Sequence, residues 1–419
     1  MRPPGVREYR DLTLPNGLEV VIGRRAGLPV VTVGLSFHGG SATSDPVGAM
    51  EVADELATPR TTWQGEPADF GGHLQSYGTR QSFEYVYRGS SGNVANMIAS
   101  LGERVRSMHV TSHQMVVFGR DILPFLARAE LRPEVLADRA FSRALFGEVG
   151  YGRVATAKDL EAVREGDVTR WLDATHVPRN AVLAIVGEID PDAVARLVVD
   201  ELGGWSSDQA PQALPTAPTI AAGPGASVSF VVTPRPGATQ SQLRFGCLLP
   251  PPDKGSLAPY DLAANVSQEQ LTDIVRRKLG ASYGFRGVIV ALRGGATELV
   301  VEGDVATAST ARALSAMREM LASFAQGKLD PQAIDRARFR LASRFGVAFD
   351  TTRSIVSAIL AVRNRGASLA SIEANAEDLI RPSPADVAAV FAHCLAGRAV
   401  VSIVGDEPAV RAAITEAWP

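Results

Sequence analysis

Apolar residues arrive along this chain in two rhythms. Val30 to Phe37 and Ala181 to Val186 are dense β-rich runs bounded by Gly, Pro or Asn, the pattern of buried strands. Leu14-Pro15-Asn16-Gly17 reads as a turn feeding a further strand, Leu18 to Ile22. Two more strand-like stretches, His73 to Tyr77 and Ser82 to Tyr87, follow the Gly71-Gly72 break. Elsewhere the spacing is helical. Ala49, Met50, Ala53, Leu56 and Ala57 recur on one face, behind Asp45 as an N-cap and Pro46 at the first helical position. Further helices are predicted at Val94 to Ser107, after the capping box Thr111-x-x-Gln114, at Pro133 to Phe146, at Thr169 to Thr175 and at Pro191 to Leu202. Pro124 is expected to kink or end the helix it interrupts.

The pattern then begins again. Ala181 to Glu188, reading AVLAIVGE, returns as Ala399 to Asp406, reading AVVSIVGD, 218 positions later. Each copy is followed by a Pro and an amphipathic helix. Val231 to Gly237 leading to Leu243-Arg244-Phe245 echoes Val21 to Gly27 leading to Val33 and Leu35. Residues 206–225 have linker composition, rich in Pro, Ala and small polar residues without an apolar period. These features predict an α+β chain of two homologous halves, residues 1–205 and 226–419, joined by a linker at 206–225.

Composition narrows the function. The chain has 419 residues, 46% hydrophobic and 21% charged, which is ordinary for a globular protein with ample core. A net charge of −3 gives no reason to expect nucleic acid or an anionic membrane as a partner. No apolar run approaches the ~18 residues of a membrane span. The first residues lack the apolar stretch of a signal peptide, so the cytoplasm is the expected location unless a leader has been removed. Arg supplies all but four of the 42 basic residues, a bias of GC-rich bacterial genomes. Cys247 and Cys394 lie far apart and form no metal-binding spacing, so disulfide stapling is not expected to organise the fold.

Candidate chemistry centres on Glu51, Asp54 and Glu55, three carboxylates at i, i+3 and i+4 on one helical face. A solvated acidic face is the plain explanation. Their spacing is also that of H-x-x-E-H, in which two His bind zinc and the Glu is general base, with both imidazoles replaced. The six histidines restore nothing: His109 and His113 straddle a predicted helix start, and His38, His73, His176 and His393 are scattered. Gly39-Gly40 and Gly294-Gly295 are isolated doublets rather than phosphate loops.

Taken in order, Leu14 to Leu18, the 51–55 frame, Phe70-Gly71-Gly72-His73-Leu74 with Thr79, Tyr151-Gly152-Arg153, Asn180 to Leu183, the repeated strand–Gly–acid segment and the linker give a resemblance spanning nearly the whole chain. The chain resembles the pitrilysin-type inverted-zincin peptidases, in particular the subunits of about 45 kDa similar to mitochondrial processing peptidase and its bacterial heterodimeric relatives. The resemblance implies two halves closing as a clam-shell around a peptide, with an edge strand of the first half pairing with it. A third zinc ligand, a Glu about seventy-five residues beyond the frame, is implied too; Glu130 is nearest by spacing, whereas anchoring on Tyr151-Gly152-Arg153 puts a non-ligand near Phe125 there. With Glu51, Asp54 and Glu55 in the frame, no zinc is expected in this chain.

Arg276-Arg277-Lys278-Leu279-Gly280-Ala281-Ser282-Tyr283 matches the family's R-x-x-x-G-x-x-Y element, in which Arg and Tyr hold the substrate carbonyl and stabilise its oxyanion. Plain helix chemistry also accounts for part of it, since Gly280 suits a C-cap and cations suit a helix C-terminus. The expectation is a non-zinc subunit, inactive alone, that supplies Arg276 and Tyr283 to the zinc site of a homologous partner acting on unfolded peptides. The alternative is a structural or peptide-binding scaffold of the same fold.

Overall fold

The computed structural model describes all residues except 1–5, 7, 58–71, 108, 211–212, 216–227, 253–255, 294, 348, 373–377 and 380. The chain forms two compact units, each an α+β layer arrangement around one mixed sheet.

The first unit holds a six-stranded sheet of β1 (Glu8–Thr13), β2 (Glu19–Arg24), β3 (Val30–His38), β4 (His73–Gly78), β5 (Ser82–Ser90) and β6 (Ala181–Gly187), in the order β1-β2-β6-β3-β5-β4. The β2–β6 pair is parallel and the others antiparallel. Alternation along β3 sends Val31, Val33, Leu35 and Phe37 into the core. That face is covered by α1 (Ala49–Ala57), α2 (Val94–Ser107), α7 (Glu165–Thr175) and α8 (Pro191–Leu202). Thr32, Gly34 and Ser36 face the other way.

The second unit repeats the plan with five strands: β7 (Ser229–Pro234), β8 (Gln240–Leu249), β9 (Phe285–Ala291), β10 (Thr297–Ala306) and β11 (Ala399–Gly405), ordered β7-β11-β8-β10-β9. Here β7–β11 is the parallel pair. Leu243, Phe245, Cys247 and Leu249 of β8 enter a core shared with α9 (Ala258–Leu271), α10 (Thr310–Ala325), α13 (Pro384–Ala396) and α14 (Glu407–Ala417).

Among the described residues, all strands of each sheet come from one side of the linker, but not all helices of each unit do. The first unit consists of Met1–Ala127, Val154–Pro215 and Gly346–Glu373; the second of Arg128–Arg153, Thr216–Phe345 and Ala374–Pro419. In the first unit α12 (Thr352–Asn364) lies on the non-core face of β3 and β6. In the second, α5 (Pro133–Phe146) lies on β8 and β11. Both approaches depend on glycine. A Cβ on Gly34 would sit 2.6 Å from Val356 Cγ1, and one on Gly246 would sit 2.6 Å from Phe141 Cζ. Two close helix–sheet contacts, one per unit, therefore rest on a missing side chain.

Several expectations hold, among them the helix Pro133–Phe146 and the Thr111–Gln114 capping box. Others are corrected. The first helix starts at Ala49 rather than Pro46, because Gly48 has φ +96° and no helix runs through a left-handed residue. Ser44 Oγ, not Asp45, accepts from the Met50 amide at 3.1 Å. Pro124 does not end its helix: α3 (Ser112–Val117) passes through a π turn at Phe118–Ile122 into α4 (Leu123–Ala129). The missing N–H falls just after that change of hydrogen-bond register. The two cysteines are not independent. Cys247 and Cys394, both fully buried with Cα atoms 5.4 Å apart, form a disulfide joining β8 to α13. Each sits on the core face of its own element, and only packing brings those faces together.

Candidate functional site

The frame helix α1 buries Ala49, Met50, Val52, Ala53, Leu56 and Ala57, leaving Glu51, Asp54 and Glu55 half-buried at the layer edge. They are therefore not a fully solvated face. Asp54 is directed at the edge strand of the sheet: its Oδ2 accepts from the Gly78 amide at 3.1 Å, and its main-chain oxygen accepts from the Ser76 hydroxyl at 3.0 Å. The C-terminal end of α1 is closed by Arg104, whose Nη1 donates to the Ala57 carbonyl at 2.8 Å.

Beneath the helix lies an aromatic cluster. His176 is buried, packed at a tilt on Phe37 with ring centres 4.5 Å apart, and its Nε2 lies 3.3 Å from the Tyr85 hydroxyl. Burial, aided by the nearby Arg104 charge, drives the imidazole down to about 3, so it is neutral. Burial pushes the Tyr85 phenol up. These groups are core, not catalyst.

A catalytic zinc needs three or more N, O or S ligands converging on one point. Among the described residues, no three His, Cys, Asp or Glu are gathered so as to hold a metal ion. The π turn at Phe118–Ile122 packs on α1 and turns the buried Phe118 inward. Glu130 lies just past α4, within the second unit, where it pairs with Arg139 at 3.2 Å; Phe125 is about half exposed.

In the second unit α9 runs into a π turn at Thr272–Lys278 and stops at Gly280, whose φ of +61° is the left-handed end expected of it. Asp273 takes two of the three cations that follow: Arg277 Nε at 2.7 Å and Lys278 Nζ at 2.9 Å. Those bonds hold its carboxyl below the usual range. Arg276 is exposed and, among the described residues, has no ion pair.

Tyr283 is 81% exposed, although its backbone is anchored on both sides. Ala281 N donates to the Val275 carbonyl at 2.9 Å, Gly284 N to Ser282 Oγ at 2.9 Å, and Phe285 N to Thr272 Oγ1 at 3.0 Å. The phenol stands on the rim of a cavity of 740 Å³ that also carries Arg235, Gln240, Gln242, Asp304 and Glu134. A fixed backbone holding an exposed, hydrogen-bond-capable ring is suited to meeting a ligand.

Sequence reasoning missed the polar cover on the non-core face of the first sheet. Arg353 of α12 lies 5.3 Å over the Tyr77 ring and donates to Gln75 Oε1 at 3.1 Å and to the Tyr77 hydroxyl. Nearby Glu84 accepts from Ser36, Ser82 and Asn364, and burial raises its carboxyl above the ordinary range. Gly34 in the middle of a strand was the available signal for a helix crossing there.

Comparison with known proteins bears on this geometry. Residues 163–341 match the family described as Peptidase M16 inactive domain. The chain is 24% identical over 212 residues to the probable mitochondrial-processing peptidase subunit beta of Arabidopsis thaliana, covering 48% of this chain and 40% of that protein. It is 25% identical over 224 residues to cytochrome b-c1 complex subunit 1 of Homo sapiens, covering 50% and 46% respectively. The matched stretch thus spans less than half the length of these relatives. Among solved structures, a peptidase M16 inactive domain from Pseudomonas fluorescens superposes with a TM-score of 0.83 at 15% identity, covering 96% of this chain and 98% of that one.

Proposed function

We propose, for a chain whose residues 163–341 match the inactive-domain family of the M16 peptidases, the role of non-zinc subunit in a two-chain metallopeptidase acting on unfolded peptides. The zinc would sit in a homologous partner bearing H-x-x-E-H. This chain would bring Arg276 and Tyr283 to the substrate carbonyl, where donors aimed at a developing oxyanion lower the barrier. The observation that carries the reading is the contrast within residues 276–278. Helix-end electrostatics accounts for Arg277 and Lys278, which share Asp273. It does not account for Arg276, which has no ion pair among the described residues, or for Tyr283 held out into solvent.

The test is co-expression with a neighbouring H-x-x-E-H homologue. The pair should assemble with well above ~2,000 Å² buried, as obligate complexes do. The chain alone should hold no stoichiometric zinc and cleave nothing. In the complex Tyr283→Phe should lower kcat by ~10²–10³-fold with a smaller change in KM, the signature of a contact made in the transition state. Arg277→Ala is the near-neutral control. Full activity from an Arg276→Ala, Tyr283→Phe double variant overturns the proposal.

A second reading, a scaffold without catalytic contribution, is favoured by the inactive-domain match and by likeness to a respiratory-complex subunit. On location, among the described residues no helix is long and apolar enough to cross a membrane. The buried Cys247–Cys394 bridge favours an oxidising compartment over the cytoplasm expected from composition. Thiol titration of the denatured chain separates the two, with no free thiol in the first case and two in the second.

A further inference from the structure

An edge strand accepts a peptide through the main-chain groups that point away from its one neighbour. β4 is such a strand: among the described residues it pairs with β5 alone. The hairpin joining them fixes the phase of its amides. Thr79 N donates inward to the Ser82 carbonyl at 2.8 Å, so the Gly78 N–H, one residue earlier, points outward. That outward N–H donates to Asp54 Oδ2 at 3.1 Å. The other oxygen, Oδ1, is buried and accepts no hydrogen bond among the described residues. The Ser76 hydroxyl on the Asp54 carbonyl, at 3.0 Å, ties the same turn of helix to the same strand.

We propose that Asp54 is a latch on the β4 edge: its carboxylate occupies the outward amide of Gly78 and bars an extended peptide from that register until it swings away. The proposal deepens the reading above and rests on its peptide-binding part. The side chain at the general-base position of the H-x-x-E-H frame here faces a strand edge, and it acts as a positioning residue. The second unit ties its edge strand differently. Gln268 Oε1 accepts from Gly287 N at 3.0 Å and Thr272 Oγ1 from Phe285 N at 3.0 Å. Both acceptors there are neutral; among the described residues the first edge alone is held by a carboxylate, whose hydrogen bond to an amide is the stronger kind.

The experiment compares the full chain with Asp54→Ala and Asp54→Asn, the latter retaining an acceptor oxygen. Residue-resolved hydrogen exchange reads the Gly78 amide, and fluorescence anisotropy reads binding of labelled, carboxymethylated α-lactalbumin, a permanently unfolded chain. The latch predicts Gly78 exchange at least ~10-fold faster in Asp54→Ala, with Asp54→Asn, whose neutral oxygen is a weaker acceptor, between the two. It also predicts binding at least ~3-fold tighter in Asp54→Ala, with Gly78 protected again when the unfolded chain is bound. Unchanged Gly78 exchange overturns the latch. Faster exchange with equal affinity in all three proteins also overturns it, while leaving the peptide-binding reading intact. Absence of binding to every protein overturns the peptide-binding reading and the latch together.

Discussion

In the first unit the helix after the long central strand β3 carries Glu51, Asp54 and Glu55. In the second its counterpart after β8 runs into Arg276, Arg277 and Lys278. The strands around them correspond one for one, β2-β6-β3-β5-β4 against β7-β11-β8-β10-β9, with the parallel pair in the same place. Two copies of one architecture thus present opposite charge from equivalent elements. The carboxylates are half-buried and one is spent on its own sheet; the cations are exposed, and one of them, Arg276, has no ion pair among the described residues. Core positions are tied to the alternation of each strand and to dense packing, so both copies keep them. Positions at the layer edge carry little of the stability, so they are free to diverge.

The comparison breaks most sharply at the helices that reinforce each sheet from across the linker. Phe141 is fully buried on β8 although it precedes the linker. Phe141→Ala should cost ~3–5 kcal/mol in the second unit. Hydrogen exchange in β8 and β11 should report it, with β3 and β6 near the parent. Leu360→Ala, on the other side of the linker, should do the reverse at ~2–5 kcal/mol. A loss confined to the sheet on the residue's own side of the linker would contradict the exchange of helices.

The disulfide sharpens the contrast next, since only the second unit has one. Its loop of 147 positions is worth ~5 kcal/mol in a chain-entropy account and typically ~2–5 in practice. A Cys247→Ala, Cys394→Ala variant should unfold at lower denaturant through the second unit alone, a difference visible in unit-specific exchange.

Smaller and opposite pH effects belong to the first unit. His176 is depressed to about 3, so its contribution is present above the unfolded value near 6.5 and is lost as pH falls. Stability should decline by up to ~1.4 kcal/mol per pH unit below that point, and His176→Gln should flatten this slope in denaturant titrations. Glu84 has the reverse sign. Its folded carboxyl is raised by burial, so its contribution is full below the unfolded value of 4.5 and is lost as pH rises. Glu84→Gln should therefore raise the Tm at neutral pH and lose that advantage below 4.5.

Much of this was legible beforehand. The strands at Val30, Ala181 and Ala399, the helices at Val94, Pro133 and Pro191, and the duplication itself follow from apolar period and local caps. Those signals reach only a few residues along the chain, so they place an element without saying what covers it. The opening strand β1 escaped notice because EYRDLT is mostly polar, an edge strand with little to bury. The frame at 51–55 was visible as a spacing, but the direction of Asp54 was not: it depends on Gly78, brought alongside by the β4–β5 hairpin. Cys247 and Cys394 each occupied a plain core position, and only the stacking of α13 on β8 made them a pair. Sequence by itself determined which residues want burial and at what period, because hydrophobicity and backbone propensity are local. Tertiary structure alone decided which buried faces meet, sending α5 to the second sheet and α12 to the first, because close packing between distant segments is a property of shapes the chain has only once it is folded.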